Sequence, residues 1–125
     1  MDFIIGGAYQ GKLEYAVKRF ELHEKDTFNC SECDGIDYKY RCINRLEEFS
    51  LRCVKNNRNA VSEFESHRGD WQNSILICED IFCGVVPLGA EMRAWREQTG
   101  RLCVYLAREA DTVTRIFCGL EQRLK

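Results

Sequence analysis

A chain of 125 residues, 45% hydrophobic and 30% charged, holds enough apolar material for one packed domain and little room for a second. Its formal charge is −2 with acids and bases interleaved, and no basic stripe marks it as a nucleic-acid binder. No run approaches the roughly 18 consecutive apolar residues of a membrane span, and one proline with nine glycines excludes a collagen-like or linker-rich chain.

The opening MDFIIGG carries neither a basic leader nor a long apolar stretch, so it reads as the start of the fold rather than a signal peptide. Residues 2 to 5 form a short apolar run that stops at Gly6-Gly7. A helix is expected from Lys12 to about His23, because Leu13, Ala16, Val17 and Phe20 recur on one face. Residues 26 to 38 are turn-rich, with a short strand near Phe28. A second helix is expected over 40 to 56, where Cys42, Ile43, Leu46, Phe49, Leu51 and Cys53 follow helical spacing, and a further helical turn over 60 to 67.

The run SILIC at 74 to 78 has the continuous apolarity of a buried parallel strand, and EDIFCGVVP makes a loop ending at Pro87. Residues 88 to 109 give the clearest helix, with Met92, Trp95, Leu102, Leu106 and Ala107 towards the core. Gly100 interrupts it, at a cost of about 1 kcal/mol relative to Ala, which points to a packing or functional reason. Residues 112 to 118 form a last strand. Strands alternating with helices imply a single α/β domain over 1–125, of the phosphate-loop type, with a mostly parallel sheet covered by helices in three layers.

In such sheets ligands gather at the carboxyl ends of strands, and two segments follow strands directly: Gly6 to Lys12 and Glu79 to Gly84. GGAYQGK matches G-x-x-x-x-G-K, with Gly6, Gly11 and Lys12 in the required places. Gly6, Gly7, Ala8, Tyr9, Gln10 and Gly11 would curl their N–H groups inward at phosphate oxygens, Lys12 would add a positive charge, and the helix would aim its positive end there. The alternative is a plain glycine turn. The complete motif has Ser or Thr after the lysine as a Mg²⁺ ligand, and this chain has Leu13. Leucine cannot coordinate a metal, so Mg²⁺-assisted phosphoryl transfer is expected to be impaired. Glu79 and Asp80 are the acidic candidates to hold Mg²⁺ through water or to orient an acceptor; a solvated strand end is the alternative.

Eight cysteines stand at 30, 33, 42, 53, 78, 83, 103 and 118, mostly inside apolar runs. Without a secretory signal they read as reduced, structural thiols of a cytoplasmic protein. Cys30-x-x-Cys33 with Cys42 and Cys53 could in principle bind zinc, but this is a single pair, short of a repeated zinc pattern, so structural thiols and no metal site are expected. His23 reads as a helix-end or surface residue and His67 as part of a polar stretch. Arg93, Arg96 and Arg101 could meet phosphates or a carboxylate, or share a solvated face with Glu91, Glu97 and Glu109.

The stretch SILICEDIFCGVVPLGAEMRAWREQTGRL, continuing to GLEQRLK, resembles the bifunctional adenosylcobinamide kinase and adenosylcobinamide-phosphate guanylyltransferase family of cobalamin biosynthesis. Gly84, Val85, Val86, Pro87, Arg93, Trp95, Arg96, Gly100 and Arg101 stand in matching places, and Glu79-Asp80 replace the family's Asn-Glu pair. With the glycine loop, the resemblance covers about 1 to 22 and 73 to 125, and residues 23 to 72 replace a longer middle segment. It implies a purine nucleotide (ATP or GTP, with Mg²⁺) as ligand, no organic cofactor, Arg93 and Arg101 as further nucleotide contacts, and assembly into homo-oligomers. The segment that carries the family's guanylylated histidine is absent, so that role passes to neither His23 nor His67. A protein that keeps the fold for binding or assembly without catalysis is the second expectation.

Overall fold

The computed structural model describes residues 1–125. Its elements are β1 (Asp2–Gly6), α1 (Lys12–Phe20), β2 (Thr27–Asn29), β3 (Cys42–Asn44), α2 (Leu46–Lys55), α3 (Ala60–Ser66), α4 (Arg68–Trp71), β4 (Ile75–Glu79), α5 (Ala90–Glu109), β5 (Thr112–Phe117) and β6 (Leu120–Arg123). Six strands form one sheet in the order β2-β3-β4-β1-β5-β6. All neighbours run parallel except β5 and β6. This is an α/β fold, a mostly parallel sheet flanked by helices.

Period-two alternation along the strands divides the core between the two faces. Phe3, Ile43, Leu76, Cys78 and Val113 point to one side, where Leu46, Phe49, Phe64, Trp71, Leu102 and Leu106 from the helices after α1 bury against them. Ile4, Cys42, Ile75, Ile77 and Ile116 point to the other, against Ala16 and Leu22. The chain leaves β1 for the far edge at β2, then returns through β3 and β4 and crosses β1 to reach β5. Right-handed crossovers in opposite directions place α1 and α5 on opposite faces.

The expected helix over 40 to 56 is corrected. Cys42 and Ile43 are fully buried in β3, between β2 and β4, and the helix starts only at Leu46. Arg45, with φ 64°, turns the chain between them. The first helix ends at Phe20, earlier than His23, where Glu21 takes φ 52° and donates its N–H to the Val17 carbonyl. The strand over 112 to 118 is not the last, because a two-residue turn with positive φ at Cys118 and Gly119 folds β6 back on β5. On α5, Leu102 and Leu106 are fully buried as expected, but Met92 is exposed. No helix is long and apolar enough to cross a membrane.

Candidate functional site

At the carboxyl ends of β1, β3 and β4 the chain encloses a cleft of about 550 Å³. One wall is the run from Ala8 to Glu14, which is the glycine loop and the first turn of α1; the other is Asn44, Arg45, Glu47 and Glu79. Sheet order explains the meeting. β4 lies beside β1 and β3 beside β4, so residues far apart in the chain end on one rim.

The loop's shape follows from its glycines. Gly11 caps α1 at φ 91°, and a Cβ on Gly6 would stand 2.5 Å from the Ile116 carbonyl oxygen. Tyr9 adopts φ 58° with its ring fully in solvent. The loop tip is pinned by the β5–β6 turn: the Gly119 N–H donates to the Gln10 carbonyl at 2.9 Å, and the Cys118 N–H to Gln10 Oε1 at 2.6 Å. The amides of Gly7 to Gly11 donate to no acceptor in the protein. First-turn amides of a helix add to this set of free donors.

Lys12 points back over the loop. Its ammonium donates to the Gly7 carbonyl at 2.6 Å and stands 3.9 Å from Glu79 Oε1. Glu79 in turn donates its N–H to Glu47 Oε2 at 2.9 Å. Glu47 is almost wholly buried, with Arg45 Nε at 3.5 Å from its Oε1. Burial pushes the Glu47 carboxyl above the usual carboxylate range, against the pull of the Glu79 amide and Arg45. The Glu47 carbonyl also accepts from the Trp95 indole at 2.7 Å and from Ser50 Oγ at 2.9 Å, tying the cleft floor to α5.

Of the residues singled out from sequence, Ala8, Tyr9, Gln10, Gly11, Lys12, Leu13 and Glu79 line this cleft, with Gly6 and Gly7 forming the loop's root. Leu13 also packs partly against the core on the α1 face. Asp80 does not line it: its N–H donates to the Gly6 carbonyl at 2.7 Å and its Oδ1 accepts the Phe82 N–H at 3.0 Å. Arg93 and Arg101 stand elsewhere. Arg93 donates to the Pro87 and Leu88 carbonyls, and Arg101 pairs with Glu97 at 2.6 Å on the outer face of α5.

The opposite wall of Asn44, Arg45 and Glu47 was missed because it lay inside the expected helix. A short apolar pair followed by Asn-Arg could have been read as a third strand end on the same rim. The Cys30–Cys33 loop wraps the Arg52 guanidinium, which donates to the Cys30, Ser31 and Cys33 carbonyls. Cys42 faces the opposite side of the sheet from Cys53, and no group of three or more His, Cys, Asp or Glu side chains converges as metal ligands. His23 caps the short turn at Glu24–Asp26 and His67 stacks on Tyr38 with ring centres 4.9 Å apart, both outside the cleft.

No protein-family model matches the chain, and no curated protein matches it in sequence.

Proposed function

We propose that the chain is a shortened relative of the adenosylcobinamide kinase and guanylyltransferase family, a phosphate-loop protein of the cytoplasm that holds the phosphates of a purine nucleoside triphosphate in the cleft. The observation that carries the reading is the convergence of unpaired loop amides, the Lys12 ammonium and the Glu79 carboxylate on one concave surface at the strand ends. A triphosphate seated there would take the amides of Gly7 to Gly11, and Lys12 would exchange the Gly7 carbonyl for a phosphate oxygen. An ammonium held within reach of both partners makes that exchange a small movement.

Magnesium is usually held by one or two carboxylates, water and substrate phosphates. Glu79 fits that donor set, whereas Leu13 offers no oxygen. The ion, when bound, neutralises charge on the phosphates. The chain's own part in γ-phosphoryl transfer to a hydroxyl is then narrower. Lys12 stabilises charge developing on the transferred group, Glu79 orients ion or acceptor, and Arg45 brings a second positive charge to the far wall. Guanylyl transfer through a histidine is outside the proposal, since neither His23 nor His67 reaches the cleft.

A second reading, a non-catalytic binding or assembly protein on the same fold, is favoured by Leu13. It packs against the core where catalysis would use a hydroxyl. Calorimetric titration of ATP and GTP, with and without Mg²⁺, against wild type and Lys12→Ala separates the two. The kinase-like reading expects Mg²⁺-dependent binding that weakens on the order of 10-fold or more without the lysine, the scale of a lost hydrogen bond to a charged group. Binding indifferent to Mg²⁺ supports the second reading. No binding by the wild type ends the nucleotide assignment.

A further inference from the structure

The sheet ends at β6, which pairs with β5 on one side and with nothing on the other. Phe117, Leu120 and Leu124 stand exposed on this hairpin. The register sets Phe117 opposite Leu120, Ile116 opposite Glu121, Arg115 opposite Gln122 and Thr114 opposite Arg123. Alternation therefore puts Phe117, Leu120 and Leu124 on the α5 face, with Val113 of the main core, and Glu121 and Arg123 on the α1 face, near Tyr15.

The phase of the hydrogen bonds fixes which residues the free edge offers. A two-residue hairpin makes Phe117 and Leu120 a hydrogen-bonded pair, and the Leu124 N–H donates to the Val113 carbonyl at 2.8 Å. Leu120 and Gln122 thus turn their main-chain groups inward to β5. At Leu124 the ladder ends in a bulge, where the Leu124 and Lys125 N–H groups both donate to the Val113 carbonyl and the Val113 N–H donates to the Lys125 carbonyl at 3.3 Å. Glu121 and Arg123 turn theirs outward. An added antiparallel strand must meet those two residues with its own outward-turned groups.

For a second copy of β6, this allows Glu121 opposite Glu121, Arg123 opposite Arg123, or Glu121 opposite Arg123. The first two set like charges face to face, which is destabilising. The third places the twofold axis at Gln122 and satisfies both charges twice over. It also sets Leu120 opposite the partner's Leu124, beside Phe117, so the exposed apolar groups cover one another. Two residue pairs then exchange both of their N–H···O bonds. We propose that the chain forms a twofold dimer by antiparallel pairing of β6 in this register, making one continuous sheet through both copies. Arg123 keeps its Nε on the Lys125 carbonyl at 2.8 Å and has its terminal nitrogens free for the partner's carboxylate.

Light scattering on a sizing column tests this, with circular dichroism confirming that each variant is folded. The wild type is expected at dimer mass. Glu121→Arg and Arg123→Glu alone each bring like charges together and are expected at monomer mass. Mixing the two variants pairs opposite charges again, as does the double swap in one chain, and both are expected to recover the dimer. A wild type at monomer mass at every concentration up to its solubility limit overturns the proposal. So does dimer mass retained by both folded single variants, or failure of the mixed variants to associate.

Discussion

Gly6 has no room for a side chain. It closes β1 between Glu79 and Ile116 in the sheet register, and a Cβ would sit 2.5 Å from a main-chain oxygen that cannot rotate away. Gly6→Ala is expected to destabilise the fold by about 1–3 kcal/mol, as overpacking does, read as a lower urea midpoint with an unchanged slope. Leu13 presents the converse case: it packs partly against the core at the position where the proposed reading would use a hydroxyl. Leu13→Ser should give up on the order of 1 kcal/mol of apolar burial while placing a hydroxyl beside Lys12 at the cleft wall. On the proposed reading, nucleotide affinity in this variant becomes more dependent on Mg²⁺. Calorimetry showing the same Mg²⁺ response as the wild type would remove Leu13 from the explanation.

Among the elements, α5 shows no packing need for the glycine at position 100, contrary to the reason expected from the sequence. A Cβ on Gly100 would lie 3.5 Å from the Phe82 ring, an ordinary contact. Gly100→Ala should therefore stabilise the helix by up to about 1 kcal/mol, seen as a higher urea midpoint; a fall would show that the Phe82 contact cannot be accommodated. The elements legible in the sequence were those whose pattern is local and long. β4 is a continuous apolar run, α5 spans 20 residues, and β1 abuts a glycine loop. β3 escaped because its two apolar residues, Cys42 and Ile43, continue the spacing of Leu46, Phe49 and Cys53. Only the positive φ of Arg45 separates strand from helix. β6 escaped because all four of its residues are exposed, leaving the Cys118-Gly119 turn as its one cue. The site divides in the same way. The glycine loop is written in consecutive residues, whereas Arg45 and Glu47 reach the cleft through strand order, which no local pattern carries.

At the scale of the whole molecule, the eight free thiols report on how the fold is closed. Cys30, Cys42, Cys53, Cys78 and Cys103 are buried, and Cys33, Cys83 and Cys118 are exposed. A thiol reagent is expected to modify the exposed three rapidly and the buried five only on unfolding. Burial pushes Cys30 up to about 12 and Cys42 and Cys53 up to about 11, from an ordinary value of 9.0. The folded chain therefore holds these protons more tightly than the unfolded chain. Their contribution is fully present below pH 9 and is lost as pH rises through about 11 to 12. Urea midpoints should decline across that window, and a flat profile would show that the thiolates find solvent without unfolding.

The attachment of Gln10 to the Cys118 and Gly119 amides bears on the thermodynamics of any guest in the cleft. Ordering a free loop removes about 1–2 kcal/mol of conformational entropy per residue. Here the tip is already tied through both its main chain and its side chain, so that loss falls on folding rather than on association. On the proposed reading the loop meets a phosphate already ordered, because the β5–β6 turn holds Gln10, itself part of the cleft lining, through both its main chain and its side chain.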